Sequence, residues 1–165
     1  MQTLDEIRDR ESRHVLQTYR RAPIAFVRGN GVRLYDDRGR EYIDLLSGIG
    51  VASLGHANPG LADAIADQAR TLLHTSNLFY HPLQGQLAER LARMSGLPRA
   101  FFCNSGTEAV EACLKFARRY WFTRNEPRAG IVALDESFHG RTLGSLSVTV
   151  RFTRLPLTVL GIVIV

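Results

Sequence analysis

AFFCNSGTEAVEACLKFARRYWF, residues 100–122, decides the reading of this chain. It opens on Ala100-Phe101-Phe102-Cys103, a short, aromatic, apolar run suited to a buried strand. Asn104-Ser105-Gly106-Thr107 is then a turn and N-cap cluster. Apolar residues follow at helical spacing, at Val110, Cys113, Leu114, Ala117, Tyr120 and Trp121. Strand, tight polar loop and helix is the local order. Glu108 and Glu111 in the first turns and Arg118 and Arg119 near the end suit the helix dipole, and Glu111 precedes Lys115 by four residues as a surface pair.

A loop of small residues opening a helix leaves backbone N–H groups without intrahelical partners, which makes an anion site, most naturally for a phosphate. Gly106 allows close approach of the backbone, and the hydroxyls of Ser105 and Thr107 can donate as well. An ordinary capped helix fits the same spacing, with Ser105 or Thr107 satisfying its own turn.

Working outward, the chain has 165 residues, 45% of them hydrophobic and 22% charged, which is the composition of a soluble globular protein with room for one core. The formal net charge of +5 is spread among acids and never gathered in one run, so no nucleic-acid partner is expected. Lys115 is the one lysine among 21 Lys and Arg residues, so any amine nucleophile on a side chain must be that one. Cys103 and Cys113 fall in the strand run and on the apolar helix face, as small buried hydrophobes. The charged start, Met1 to Arg13, is unlike a secretory leader, and no apolar run reaches the ~18 residues of a membrane span. A cytosolic protein without a membrane partner is expected.

Residues 3–19 read as a polar amphipathic helix. Between Ile24 and Leu46 the period becomes two, in three runs separated by Arg28-Gly29-Asn30-Gly31 and Asp36-Asp37-Arg38-Gly39-Arg40, which predicts a three-stranded antiparallel meander. Ser47 to Pro59 is a glycine-rich loop, and helices are expected over 61–73 and 83–94. Gly130-Ile131-Val132-Ala133-Leu134 reads as a second buried strand. With the central helix as crossover this predicts a parallel βαβ unit, whose loops share one sheet edge. The loop after it, Asp135 to Thr142, then lies beside Ser105-Gly106-Thr107 and brings Phe138, His139 and Arg141 to the anion. Val159 to Val165 is an uninterrupted apolar end with strong β preference.

Side-chain type decides little for the remaining candidates. His139 and His56 suit ordinary hydrogen-bonded loop histidines as well as site residues. His74 and His81 lack the spacing of metal ligands, so no metal is expected. Arg141 offers the planar fork that a carboxylate takes, and it also suits solvent.

Asn104-Ser105-Gly106-Thr107-Glu108-Ala109 and Ser137-Phe138-His139-Gly140-Arg141-Thr142 together resemble the class III pyridoxal-phosphate aminotransferases. The likeness extends through Tyr35 to Asp44, Ser53 to Pro59 and Thr75 to Tyr80, five motifs in order over about residues 3–149, and lies nearest the branch acting on N2-acetylornithine. It implies an α/β, fold-type-I transferase. Residues 1–58 would belong to the small domain, 59–149 would begin the large, mostly parallel-sheet domain that binds pyridoxal 5'-phosphate, and 150–165 would be a divergent tail. By resemblance Ser105, Gly106 and Thr107 hold the cofactor phosphate, Phe138 stacks on the pyridine ring, and His139 joins them. Arg141 takes the substrate α-carboxylate, with Asn77 and Tyr80 lining the substrate side.

The activity implied is transfer of the δ-amino group of N2-acetylornithine to 2-oxoglutarate by a homodimer. Ornithine, succinylornithine and 4-aminobutyrate are alternative donors. The family also needs a lysine to capture the cofactor aldehyde and an acid to pair with its ring nitrogen, both lying beyond residue 165 in the pattern. Lys115, eight residues past Thr107 and roughly 12 Å down the helix at 1.5 Å per residue, does not fit that role. An amino-terminal piece without turnover, its last residues from a shifted frame or a divergent end, is therefore expected. A piece that acts only by pairing with intact subunits is the alternative.

Overall fold

A computed structural model describes residues 2–126, 128 and 130–149. The apolar end expected from residue 150 lies outside them. The described residues fall into two compact units, one up to Tyr80 and one from His81.

The first unit begins with α1 (Leu4–His14), where Thr3 and Glu6 form a capping box, each side chain accepting the other's backbone N–H. The Leu4 N–H also donates to Asp37 Oδ2 at 2.7 Å, so a carboxylate from the meander faces the start of this helix. The helix ends five residues before the predicted Tyr19. Val15 is already extended and Leu16 is 84% exposed, so little packing among the described residues is there to prolong the helix.

The meander matches the period-two reading. β1 (Phe26–Asn30), β2 (Arg33–Asp36) and β3 (Glu41–Ile43) form an antiparallel sheet in that order, with an irregularity between Phe26 and Arg28. Its turn is organised by Asp36, which is 1% exposed. Asp36 accepts from the Arg38 and Arg40 amides, from Arg40 Nε at 2.7 Å and from the Tyr42 hydroxyl. Burial pushes its carboxyl up, but the Arg40 guanidinium, those amides and Tyr42 outweigh it and hold it at about 2.

A second carboxylate, Asp44, takes the Leu46 and Ser47 amides on one oxygen and His56 Nε2 at 2.7 Å on the other. The His56 contact first, then those two amides, hold the Asp44 carboxyl below its usual range. An ionised carboxylate only accepts, so Nε2 carries the proton. His56 also exchanges both backbone hydrogen bonds with Gly31. It lies so close to Gly29 that a Cβ there would fall 2.6 Å from His56 Cβ. His56 is thereby a structural staple. Between these residues α2 (Ser47–Gly50) is one distorted turn with Gly48 and Ile49 left-handed, and α3 (Pro59–Thr71) follows, capped by Asn58.

In the second unit α4 (Pro82–Ser95) starts at His81, whose Nδ1 accepts the Leu83 N–H, and ends at the left-handed Gly96. α5 (Gly106–Phe122) is the predicted central helix, and α6 (Leu143–Ser147) is a short helix absent from the sequence reading. The parallel ladder expected between residues 100–103 and 130–134 is not formed: among the described residues the meander is the one sheet. A strand is stabilised by its neighbour's hydrogen bonds and cross-strand pairs, and neither run has them here. Phe101 instead meets Phe116 of α5 edge-on, with ring centroids 5.6 Å apart.

Cys103 and Cys113 are likewise exposed free thiols, not buried, because no second layer covers them. The apolar stripes of α3, α4 and α5 contain no buried residue, and Val148 is the buried large apolar side chain among the described residues.

Asp36 generates a pH prediction. Its carboxyl stands at about 2 folded against an ordinary 3.8, so its contribution to stability is complete above the ordinary value and is lost as pH falls through the folded one. The melting midpoint, followed by near-ultraviolet dichroism of Tyr35 and Tyr42, is expected to fall steeply between about pH 4 and about pH 2. In Asp36→Asn it should lie several degrees lower at neutral pH and lose that slope.

Candidate functional site

Ser105 is the N-cap of α5, extended at φ −154°, and its hydroxyl accepts the Glu108 N–H at 3.3 Å. The Ala109 N–H returns to the Ser105 carbonyl. By position the amides of Gly106 and Thr107 are the ones that the helix itself does not satisfy. Gly106 itself is uncrowded, since a Cβ there would meet nothing within 4 Å. Glu108 competes for donors here, but the one it takes is the Asn104 N–H, at 2.7 Å. The helix start therefore has two backbone donors that its own turns leave unused.

The Asp135–Thr142 loop lies against this helix start, as the sequence reading placed it. Thr107 Oγ1 is 2.6 Å from Ser145 Oγ and 3.1 Å from Thr142 Oγ1. Gly140 passes so close that a Cβ there would fall 2.1 Å from Thr107 Oγ1, and its φ of +132° disfavours any side chain. The Thr107 hydroxyl is thus engaged with the loop, and its backbone N–H is the group left for an anion.

Thr149, fully buried, closes the loop from the other side. Its hydroxyl accepts the His139 N–H at 2.9 Å and has the Gly140 and Ser145 carbonyls as acceptors. His139 is half-buried, and its Nδ1 is buried with no partner among the described residues. A buried polar atom of this kind is uncommon in a folded chain and marks the loop as a place where polar groups gather. Phe138 and Arg141 are exposed on the same loop, whereas Asn77 and Tyr80 lie on the exposed turn that closes the first unit.

Four residues of this arrangement escaped the sequence reading as site groups: Glu111, Thr142, Ser145 and Thr149. Glu111 was read as a surface partner of Lys115. It is half-buried, and its Oε1 accepts both the Thr142 hydroxyl and the Ser145 N–H, at 3.0 Å for the latter. The Thr142 hydroxyl and then the Ser145 amide draw its carboxyl below the usual glutamate range, against partial burial. The available signal was Thr142-Leu143-Gly144-Ser145, a capping pattern with Ser in place of Glu, in which the Thr142 N–H donates to Ser145 Oγ. Among the described residues no cluster of His, Cys, Asp or Glu suits a metal ion, and no helix is long and apolar enough to cross a membrane.

The family model of class III aminotransferases matches residues 15–156. Acetylornithine aminotransferase of Nitrosomonas europaea is 48% identical over 136 residues, covering 82% of this chain and 35% of the relative. That of Aquifex aeolicus is 49% identical over 137 residues, covering 82% and 36%. A structure of the Toxoplasma gondii ornithine aminotransferase, described as having partial occupancy of PLP at its active site, superposes with TM-score 0.83 at 29% identity over 91% of this chain and 36% of that one. The chain belongs to the class III aminotransferases, and it spans about a third of the length of these curated relatives.

The cap of α5 is directly testable. Ser105→Ala should cost about 1 kcal/mol in urea unfolding followed by far-ultraviolet dichroism, and Ser105→Gly a few tenths as much.

Proposed function

We propose that this chain carries the phosphate grip and the carboxylate-binding arginine of a pyridoxal-phosphate transaminase that passes the δ-amino group of N2-acetylornithine to 2-oxoglutarate. The observation that carries the reading is the junction of the α5 start with the Asp135–Thr142 loop through Thr107, Thr142 and Ser145. The Gly106 and Thr107 amides bind the phosphate ester, helped by the positive end of a helix of 17 residues. Ser105 sets the geometry of that turn. Phe138 would stack on the pyridine ring and restrain its plane, and His139 would stand with it on the cofactor side of the same loop. Arg141 receives the α-carboxylate in bidentate fashion, and Asn77 and Tyr80 shape the substrate side. When bound, the cofactor supplies an aldehyde carbon for the amine and a ring that accepts the bonding electron pair.

The acetylornithine donor is favoured by the 48–49% identity to relatives bearing that name. The Toxoplasma gondii superposition keeps ornithine as the second reading, and a donor panel on the active enzyme separates them. The active assembly in this reading is a cytosolic homodimer, its small and large domains meeting at residues 58 and 59.

Turnover further requires an amine that captures the cofactor aldehyde. Lys115, exposed on α5 beside Glu111 and far down the helix from Thr107, is not suited to it. The chain alone is therefore a binding piece. Mixed with pyridoxal phosphate and reduced with borohydride, it is expected to carry no adduct confined to one lysine, and to show no amino transfer from N2-acetylornithine. A stoichiometric adduct at Lys115 together with amino transfer would overturn the inactivity.

A further inference from the structure

We propose that Glu111 is a positioning residue for the phosphate site: from the second turn of α5 it clamps α6, and so holds the Phe138–Arg141 loop in register with the Gly106 and Thr107 amides. This rests on the reading of those amides as the phosphate grip.

Glu111 Oε1 receives two donors from α6 and its cap, the Thr142 hydroxyl and the Ser145 N–H. The Ser145 amide belongs to the first turn of α6, so a carboxylate from α5 reinforces the local Thr142–Ser145 capping box from outside this five-residue helix. Its other oxygen is packed against Gly144, where a Cβ would fall 2.3 Å from Oε2. A side chain at position 144 would push the carboxylate out of this place. Ser145 is fully buried and in turn engages Oγ1 of Thr107, whose backbone N–H is one of the two anion-facing donors. Three groups of the clamp thus converge on the helix start without touching the ligand.

Three variants of the full chain test the clamp: Glu111→Ala, Glu111→Gln and Gly144→Ala. The Gln carbonyl can accept both donors that meet on Oε1 and forgoes only the weaker Gly144 amide contact, so Glu111→Gln should largely preserve the arrangement. Glu111→Ala removes the acceptor, and Gly144→Ala keeps the carboxylate but displaces it. Two measurements are made on each, the nuclear-magnetic-resonance shift of the Ser145 amide against pH and the affinity for pyridoxal phosphate by fluorescence titration.

In the wild type the Ser145 amide should follow a titration below the ordinary glutamate range, with the clamped shift present above it and lost as pH falls through it. In Glu111→Gln the shift should stay near the clamped value and flat. Affinity should fall about tenfold in Glu111→Ala and Gly144→Ala and by less than about threefold in Glu111→Gln. A wild-type chain that binds and a Glu111→Ala chain that binds as tightly overturn the positioning role, as does a Ser145 amide blind to Glu111. A wild-type chain that binds no pyridoxal phosphate overturns the proposed function itself, and the positioning role with it. Normal Ser145 titration in that case leaves Glu111 a purely structural clamp.

Discussion

The second unit depends on one hydrogen-bonded junction, in which the Glu111 carboxylate, the hydroxyls of Thr107, Thr142 and Ser145 and the Ser145 amide join α5 to α6. Each hydroxyl there can give one proton and accept two. The Glu111 carboxylate accepts from the Thr142 hydroxyl and leaves Thr142 Oγ1 free to accept from a neighbouring hydroxyl. Take it away and the Thr142 hydroxyl and Ser145 amide lose a shared acceptor in a place where Ser145 has no access to water.

The same device recurs elsewhere in the chain. Asp36 gathers four donors at the meander turn, and Asp44 gathers two amides and the His56 ring at the loop that follows. In all three cases one short acidic side chain organises several backbone groups of a loop. Their acid-shifted carboxyls are the thermodynamic trace of that arrangement. Little apolar area is buried among the described residues, so local order in this chain leans on polar convergence more than on a packed core. The open stripes of α3, α4 and α5 fit a chain that spans about a third of its relatives' length.

Much of the site was legible because its signals are local. Ser105 caps its helix through a bond three residues long, and the exposed amides of Gly106 and Thr107 follow from helix geometry alone. The meander was legible from a period of two, and α3, α4 and α5 from a period near 3.6. What escaped has a common cause. Glu111 at i and Lys115 at i+4 look like a surface pair to any local rule, yet the partners that matter are 31 and 34 residues away. The 100–103 and 130–134 runs have strand composition, but a strand exists only where another chain segment completes its ladder.

The amino-acid order by itself determined where the helices begin and which turn leaves its backbone amides without intrahelical partners. Those outcomes rest on steric and hydrogen-bonding preferences that act within a few residues. Tertiary structure alone decided that the Thr107 hydroxyl faces the loop, that Gly140 must lack a side chain, and that His139 keeps a buried nitrogen without a partner among the described residues. Each of those is set by the separation of atoms distant in sequence, which no local preference encodes.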